Sequence, residues 1–148
     1  MICATPLNYD FILCYILFNF NKNQEIKMKR EGAILRKSYD FALEIVKLYD
    51  DIRENKKEFT LSKQLARSGT SIGANVTEAQ HAESRLDFIH KLAISQKECN
   101  ETIFWLNLLK DSSYITVIKY EELNSKTNKL LKMISSAIIT SKNILKRT

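Results

Sequence analysis

The 148-residue sequence contains very little glycine and proline, with three glycines and one proline. β-Sandwiches and barrels need turn residues at each hairpin, and α/β enzymes need glycines in their loops. The composition therefore argues against both classes and favours long helices. With 45% hydrophobic and 27% charged residues, the chain can bury a core and remain soluble. Its length suits a single domain.

Cysteine is also scarce and scattered, at Cys3, Cys14 and Cys99. This set provides neither a disulfide framework nor a metal-ligand spacing, and it favours the reducing cytoplasm. Cys99 falls on the predicted core face of a helix, so we interpret it as a small core residue rather than a nucleophile. His81 and His90 lie on different elements without a ligand spacing. We expect no metal and no cofactor.

Motifs that carry catalytic chemistry are missing as well. The sequence has no phosphate-binding glycine loop, no Gly-x-Ser-x-Gly elbow and no paired Glu-x-x-His motif of a di-iron bundle. We therefore predict no catalytic residues, and a protein that is not an enzyme.

Long apolar runs are absent too. The run Phe11–Phe18 has eight residues, far fewer than the ~20 that a transmembrane helix needs. No basic segment precedes it and no small-residue cleavage site follows it, which argues against a signal peptide. Regular helical periodicity begins only after Met28. We therefore treat residues 1–27 as an N-terminal extension, either a disordered tail or the product of a mis-assigned start codon, and residues 28–148 as the domain.

Four segments carry helical periodicity, with apolar residues recurring at spacings of three, four and seven. They run from Ala33 to about Asn55, from Thr60 to His81, from a Ser84 cap to about Lys110, and from Lys119 to Lys146. Lengths of ~20–28 residues correspond to ~30–40 Å of helix. Matched lengths with short connections predict an all-α fold, an antiparallel up-down-up-down four-helix bundle.

Each segment has a predicted core stripe. The predicted core residues are Ile34, Phe41, Ala42, Ile45, Leu48, Tyr49 and Ile52 in the first, Leu61, Leu65, Ile72, Val76 and Ala79 in the second, Phe88, Leu92, Cys99, Ile103 and Leu106 in the third, and Leu123, Leu130, Ile134, Ala137, Ile138, Ser141, Ile144 and Leu145 in the fourth.

Two unusual features flank the apolar stripe of the second segment. On one side lies a polar stripe at spacings of three and four, formed by Gln64, Arg67, Ser71, Asn75 and Glu78. It is either a solvated border or a partly buried network at a seam between helices or subunits, where unpaired polar groups would be costly. On the other side lie Gly69 and Gly73. Glycine inside a helix costs up to ~1 kcal/mol relative to alanine, so the pair predicts close approach of a neighbouring backbone.

The third segment is apolar on more than one side. Ile94, Trp105 and Leu108 project roughly opposite the core stripe, and Phe104 and Leu109 widen this second face. One stripe is enough for a bundle helix, so a second stripe with a tryptophan predicts that another surface covers it. We interpret Ile94, Phe104, Trp105 and Leu108 as a homo-oligomer interface. The alternative is a local cluster with the N-terminal segment or with the connection Tyr114–Tyr120.

Positive charge is concentrated near the end of the sequence. The net charge is +6, and residues 119–148 hold seven basic side chains against two glutamates, Glu121 and Glu122. Cations on the outer face of a helix suit contacts with nucleic-acid phosphates without base readout. The alternative is a merely lysine-rich surface. The predicted phosphate contacts are Lys129, Lys132, Lys142, Lys146 and Arg147, with Arg67, Arg85 and Lys91 as additional candidates.

The stretch Leu61–Gln80 resembles the signature of a bacterial family of small four-helix-bundle proteins, which are encoded in intervening sequences of 23S ribosomal RNA genes. The family pattern reads roughly Gln-Leu-x-Arg-Ser-x-x-Ser-Ile-x-Ala-Asn-Ile-x-Glu-Gly, and Ala79 stands where its last glycine is usual. Ser84–Leu92 and Glu101–Leu106 also look like the family, so the resemblance covers about residues 33–145. The matching residues are Gln64, Leu65, Arg67, Ser68, Ser71, Ile72, Ala74, Asn75 and Glu78.

The resemblance implies a ring-like homopentamer. A related branch, the accessory protein of diversity-generating retroelements, binds a reverse transcriptase and nucleic acid through a basic surface. We therefore expect a non-enzymatic, homo-oligomeric bundle in the cytoplasm that binds nucleic acid, specifically structured RNA, by charge and does not bind membranes. The alternative is a protein–protein adaptor or accessory subunit, for example of a reverse transcriptase.

Overall fold

Four helices form the part of the protein that the computed structural model describes, residues 32–147, and no strand occurs in that range. Helix α1 covers residues 32–51 and continues as a π-helical turn, Ile52–Lys56. Helices α2, α3 and α4 are Leu61–Gln80, Arg85–Asp111 and Val117–Leu145. All four predicted helices are present, with ends within about two residues of the predicted ones. The predicted extension, residues 1–27, lies outside the described residues.

Side-chain caps set the starts of α3 and α4. The Ser84 hydroxyl accepts a hydrogen bond from the Asp87 N–H at 3.0 Å, which confirms the predicted Ser84 cap. The Asp87 carboxylate in turn accepts from the Glu83 N–H at 3.3 Å. At α4, the Thr116 hydroxyl accepts from the Lys119 N–H at 3.1 Å. These bonds satisfy N–H groups that have no partner within the helix.

Helices α1 and α2 pack closely at the two glycines. A Cβ atom on Gly69 would lie 2.9 Å from Cγ1 and Cγ2 of Ile45. A Cβ on Gly73 would lie 3.3 Å from the carbonyl oxygen of Ser38. The close approach that the glycine pair predicts is therefore confirmed, and α1 is the neighbouring helix.

Small hydroxyl side chains fill the buried seam between α2 and α3. Ser95 Oγ donates to the carbonyl oxygen of Ile72 at 3.0 Å. Thr102 Oγ1 lies 3.1 Å from Ser68 Oγ, and both side chains are fully buried. Because these hydroxyls have hydrogen-bond partners, they occupy core positions without the cost of an unsatisfied polar group.

Helix α4 completes the bundle by contacting α3 and α1. Gln96 Nε2 of α3 donates to Ser135 Oγ of α4 at 2.8 Å. Lys126 of α4 pairs with Glu44 of α1 at 2.6 Å. Each helix therefore packs against two others around a common core, which includes fully buried Ile45 and Ile134. Within residues 32–147, no helix is both long and apolar enough to cross a membrane.

The core stripes differ from the predicted ones on α3 and α4. Phe88 and Ile103 are only half-buried, because the α3 stripe is rotated toward the hydroxyl residues of the α2 seam. Leu109, which was predicted on the second apolar face, is fully buried in the core for the same reason. Ile144 and Leu145 are exposed, so their prediction as core residues was wrong. Both lie in the last turn of α4, beyond its last buried apolar residue, Ile138. The apolar periodicity of α4 therefore continues beyond the part of the helix that packs against the other helices. On α1 and α2, the predicted residues that are only half-buried are Ala42, Tyr49 and Leu61, and on α4 the same holds for Ala137.

Candidate nucleic-acid interface

Helix α4 and the two residues that follow it present the predicted phosphate-binding cations to solvent. The buried positions of α4 recur at spacings of three and four, which leaves the opposite side of the helix to solvent. All five predicted cations of this region are exposed. We call them the α4 cations: Lys129, Lys132, Lys142, Lys146 and Arg147.

The other two lysines of α4 are neutralised by carboxylates. Lys119 pairs with Glu122 at 3.1 Å. Lys126 pairs with Glu122 at 2.7 Å and with Glu44 at 2.6 Å. The hydrogen bonds that Lys126 donates to Glu122 and Glu44 raise the pKa of its ammonium, and the bonds that Glu122 accepts from Lys126 and Lys119 lower the pKa of that carboxyl. None of the α4 cations has an ion-pair partner within residues 32–147. The uncompensated charge of α4 therefore lies after Glu122.

Neutral hydrogen-bonding side chains are interspersed along the chain with the α4 cations. Ser125, Ser136, Thr140 and Asn143 are all exposed. No acidic residue follows Glu122 in the sequence. Hydroxyl and amide groups beside lysines are the usual partners of phosphate and sugar oxygens. This face can bind a polyanion without placing a carboxylate against it.

The three additional candidates lie on α2 and α3 rather than on α4. Arg67 of α2 pairs with Glu101 of α3. Lys91 of α3 pairs with Glu78 of α2 at 2.5 Å, and that bond raises the pKa of its ammonium. Both bridge the α2–α3 seam, where a carboxylate already matches their charge. Arg85 is the first residue of α3 and is half-buried.

The polar stripe of the family-like segment follows the outer edge of the same seam. Gln64, Ser71 and Asn75 are half-buried. Gln64 Oε1 accepts from Arg67 Nε at 3.3 Å, and Asn75 Nδ2 donates to the Ser71 carbonyl at 2.8 Å. Arg67 and Glu78 are exposed and pair with Glu101 and Lys91 of α3, whereas the Asn75–Ser71 bond lies within α2. Gln64, Arg67 and Glu101 thus form a seam network at the protein surface.

The seam network continues to the predicted oligomer interface. Trp105 Nε1 donates to Glu101 Oε1 at 3.1 Å, and Arg67 binds the same oxygen. The Trp105 ring meets Phe104 edge to face, with ring centroids 4.9 Å apart. Phe104 is 57% exposed. Ile94, Trp105 and Leu108 are half-buried. These four residues form an apolar surface, the α3 face, whose tryptophan is oriented by a carboxylate.

Glu98 lies beside this network with one oxygen unsatisfied. Its Oε2 atom is buried and has no hydrogen-bond partner among the described residues. Burial, followed by the negative charge of Glu101, raises the pKa of the Glu98 carboxyl, while Arg67 partly opposes the shift. The same environment affects its neighbour Cys99, because burial and then Glu98 raise the pKa of that thiol to about 12. Cys99 is therefore a protonated core residue at neutral pH, as the sequence predicts.

Helix α1 carries an exposed apolar surface that was not predicted from the sequence. Tyr39, Leu43 and Val46 are 63%, 45% and 42% exposed. Their spacings of four and three place them on one side of the helix, away from its core stripe. The same spacing is present in the sequence. Because charged residues lie between these apolar ones, this side of the helix was predicted to be an ordinary solvated surface. We call these three residues the α1 face.

Comparisons with known proteins identify the family. The family model described as 23S rRNA-intervening sequence protein matches residues 30–136. Among solved structures, the chain is similar to the crystal structure of a protein of unknown function from the S23 ribosomal protein family of Bacteroides thetaiotaomicron. The two are 48% identical, with 74% of this chain and 97% of that chain covered and a TM-score of 0.73. No curated protein matches the chain.

The family model covers well over half of the chain, including the segment Leu61–Gln80 that carries the signature. The similar crystal structure extends the agreement to the helical fold. The resemblance noted in the sequence is thereby confirmed, and this chain belongs to the family of 23S rRNA-intervening sequence proteins.

Proposed function

We propose that this protein is a non-enzymatic, homo-oligomeric four-helix bundle that binds nucleic acid, specifically structured RNA, through the outer side of α4. The observation that carries the proposal is the set of α4 cations, which are exposed and have no carboxylate partner within residues 32–147. Phosphate contacts of this kind supply affinity without sequence readout. The protein works without a cofactor, in the cytoplasm.

The bundle is antiparallel, with up-down-up-down topology. In support, the contacts between α2 and α3 run in opposite sequence order, since Ser68 meets Thr102 and Ile72 meets Ser95. The contacts between α1 and α2 run in the same reversed order. Short connections between consecutive helices favour this arrangement.

In an antiparallel bundle, Arg85 joins the α4 cations. Gln96 contacts Ser135, Arg85 precedes Gln96 by eleven residues, and Lys146 follows Ser135 by the same number. Arg85 and Lys146 therefore lie at the same height, on adjacent helices at one end of the bundle. Arg67 and Lys91 remain candidates whose charge is already matched by a carboxylate.

The salt dependence of RNA binding tests this proposal. We expect Lys→Gln replacement at 129, 132, 142 and 146 to weaken binding to an RNA hairpin strongly. The slope of log affinity against log salt should fall by about 3, because each phosphate contact contributes ~0.7–0.9. The matched control makes the same Lys→Gln replacement at four exposed lysines outside α4, which are Lys37, Lys47, Lys56 and Lys63. We expect this control to change the salt slope only slightly. Absence of binding at low salt, or equal loss in both variants, would overturn the proposal.

The oligomer forms through the α3 face, and its ring-like state is a homopentamer. The exposure of Phe104 beside a fixed Trp105 supports an interface there, since aromatic anchors at the centre of a surface contribute most to association. Light scattering of the purified protein tests this. A monomer at all concentrations would refute the oligomer.

A second candidate function is that of an adaptor or accessory subunit, for example of a reverse transcriptase. The exposed α1 and α3 faces favour it, because apolar surfaces of this kind bind proteins. A reverse-transcriptase gene beside the gene for this protein, and co-purification of the two products, would support the adaptor. A gene inside a 23S rRNA gene would favour the RNA function.

A further inference from the structure

The exposed side of α4 forms a continuous stripe of side chains that recur at spacings of three and four. This spacing places them on one side of the helix, opposite its buried residues. From Ser125 to Asn143 the stripe covers ~27 Å of helix, and Arg147 continues the spacing just after the helix ends. We call this set the α4 stripe, and its members are Ser125, Lys129, Lys132, Ser136, Ile139, Thr140, Asn143 and Arg147.

The neutral polar members of the α4 stripe have free hydrogen-bonding groups. Ser136, Thr140 and Asn143 are exposed and make no side-chain hydrogen bond within residues 32–147. Two polar residues beside the stripe differ from them. The side chains of Asn128 and Ser135 each donate to the carbonyl oxygen four residues earlier, at 2.8 and 2.7 Å. The stripe therefore presents unused donors and acceptors to a ligand.

The groups along the α4 stripe follow the order cation, hydroxyl, cation. Lys129 and Lys132 lie toward one end, Ser136 and Thr140 lie in the middle, and Arg147 lies at the other end. Double-helical RNA presents the complementary order across its minor groove. There a phosphate backbone borders each side, and 2′-hydroxyl groups are displayed between the two backbones. One helix side can therefore contact both backbones and the hydroxyl groups between them.

The width of a helix restricts the groove that it can contact. An α-helix with its side chains is ~10–12 Å across, whereas the minor groove of B-DNA is only ~6 Å wide. The minor groove of A-form RNA is wide and shallow, and its major groove is too narrow for side chains to read. Single strands are recognised by stacking on aromatic rings, and no aromatic residue follows Tyr120 in the sequence. Double-helical RNA therefore fits the stripe better than a single strand does.

We propose that α4 binds double-helical RNA across its minor groove. Lys132 and Arg147 contact the phosphate backbones at the two borders. Ser136 and Thr140 bond to the 2′-hydroxyl groups between them, which distinguish RNA from DNA. Ile139, which is 59% exposed between these two residues, contacts ribose carbons. This inference rests on the proposed RNA function and names the form of RNA that is bound.

Binding to nucleic acids of one sequence tests the proposal. The probes are an RNA duplex of ~16 base pairs, the span that a duplex-RNA-binding domain covers, the corresponding DNA duplex, and one RNA strand alone. We expect the full-length protein to bind the RNA duplex about tenfold more tightly than the other two probes. Equal affinity for both duplexes, or tighter binding of the single strand, overturns the inference. Absence of binding to any RNA at low salt instead refutes the proposed function itself.

Removal of two hydroxyl groups locates the contact. We expect the variant Ser136→Ala with Thr140→Val to bind the RNA duplex about tenfold more weakly, because two hydrogen bonds are lost. Its affinity for the DNA duplex and its salt slope should not change. The matched control is Ser112→Ala with Thr77→Val, which changes two exposed residues outside α4 and should have no effect. An equal loss in the control, or an equal loss for DNA, contradicts the 2′-hydroxyl contacts.

A 2′-fluoro RNA duplex separates these contacts from helix shape, because it keeps the A-form but lacks the hydroxyl groups. The wild-type protein should bind it about tenfold more weakly than the unmodified RNA duplex. The variant Ser136→Ala with Thr140→Val should bind both duplexes equally. A wild-type protein that does not distinguish the two duplexes overturns the minor-groove contact, as does a variant that distinguishes them as well as the wild type.

One bundle is sufficient for the proposed contact. Phe104→Glu alters the exposed aromatic residue of the α3 face and is expected to be monomeric, so assembly cannot strengthen its RNA binding. Its preference for the RNA duplex over the DNA duplex should equal that of the wild-type protein. Loss of the preference in this variant contradicts a contact made by a single α4.

Discussion

At the scale of single residues, Glu58 shows how a side chain in a polar connection becomes structural. It precedes α2 and is nearly fully buried. Its carboxylate accepts hydrogen bonds from the N–H groups of Thr60, Leu61 and Ser62, at 2.8, 2.7 and 2.7 Å. Burial alone would raise the pKa of Glu58, but these bonds together lower it. The charged carboxylate therefore caps the first turn of α2.

We predict that Glu58→Gln lowers the free energy of unfolding by about 1–2 kcal/mol at neutral pH. The folded state binds its proton less tightly than the unfolded chain, so the contribution is complete above the unfolded pKa of ~4.3 and is lost as the pH falls through the folded pKa. Denaturant unfolding at several pH values measures it. The control Glu54→Gln changes an exposed residue of the preceding turn and should be nearly neutral. A loss that does not diminish in acid would contradict the capping role.

Glu98 should show the opposite pH dependence. Its buried, unpartnered oxygen raises the carboxyl pKa, so the folded state binds the proton more tightly than the unfolded chain. Its stabilising contribution is complete below the unfolded pKa of ~4.3 and is lost as the pH rises through the folded pKa. Glu98→Gln should therefore stabilise the protein at pH 7 and have no such benefit in acid, as measured by unfolding across pH. Destabilisation at pH 7 that equals the change in acid would disprove the assignment.

At the scale of helices, the sequence predicts well which segments form helices and where each helix begins and ends, because periodicity and capping residues act locally. The Ser84 cap and the glycine pair of α2 are examples, and both have the predicted partners or packing. The exact core stripe is harder to predict. Ser95 and Thr102 are buried because α2 offers them hydrogen-bond partners, and such partners depend on the packing of two distant segments.

The close packing of α1 on α2 predicts that Gly69→Ala is destabilising. Alanine gains up to ~1 kcal/mol in helix propensity, but its Cβ would clash with fully buried Ile45. We expect a net loss of about 1–3 kcal/mol, since overpacked cores cost that much. In the background Ile45→Ala, the same change should be neutral or stabilising, because the clashing atoms are gone. A double-mutant cycle from denaturant unfolding measures the coupling, and simple additivity would contradict the steric explanation.

At the scale of the whole molecule, the sequence reveals the candidate surfaces only in part. The α4 cations follow from charge counting along one helix. The ion pairs of Arg67 and Lys91 do not, because their partners Glu101 and Glu78 lie on another helix. The α1 face is visible as a spacing in the sequence. Only the packed bundle shows that the three side chains of this face remain exposed.

The last prediction separates two roles for Arg67. The sequence makes it a candidate phosphate contact, whereas the bundle places it on Glu101, the carboxylate that orients Trp105. If orientation is its role, Arg67→Gln should weaken assembly about tenfold and shift the Trp105 emission spectrum. The exposed Lys63 of the same helix provides the control, because Lys63→Gln removes one charge without touching the network.

RNA affinity completes this test when it is measured in the monomeric Phe104→Glu background, where assembly cannot strengthen binding. There, Arg67→Gln should change the salt slope no more than Lys63→Gln does, since its charge is matched by Glu101. If Arg67→Gln instead lowers the salt slope by the ~0.7–0.9 of one phosphate contact and leaves the tryptophan emission unchanged, Arg67 contacts RNA rather than orienting Trp105. The tryptophan emission and the salt slope respond to different contacts of the same guanidinium, so together they assign it to the oligomer interface or to the RNA.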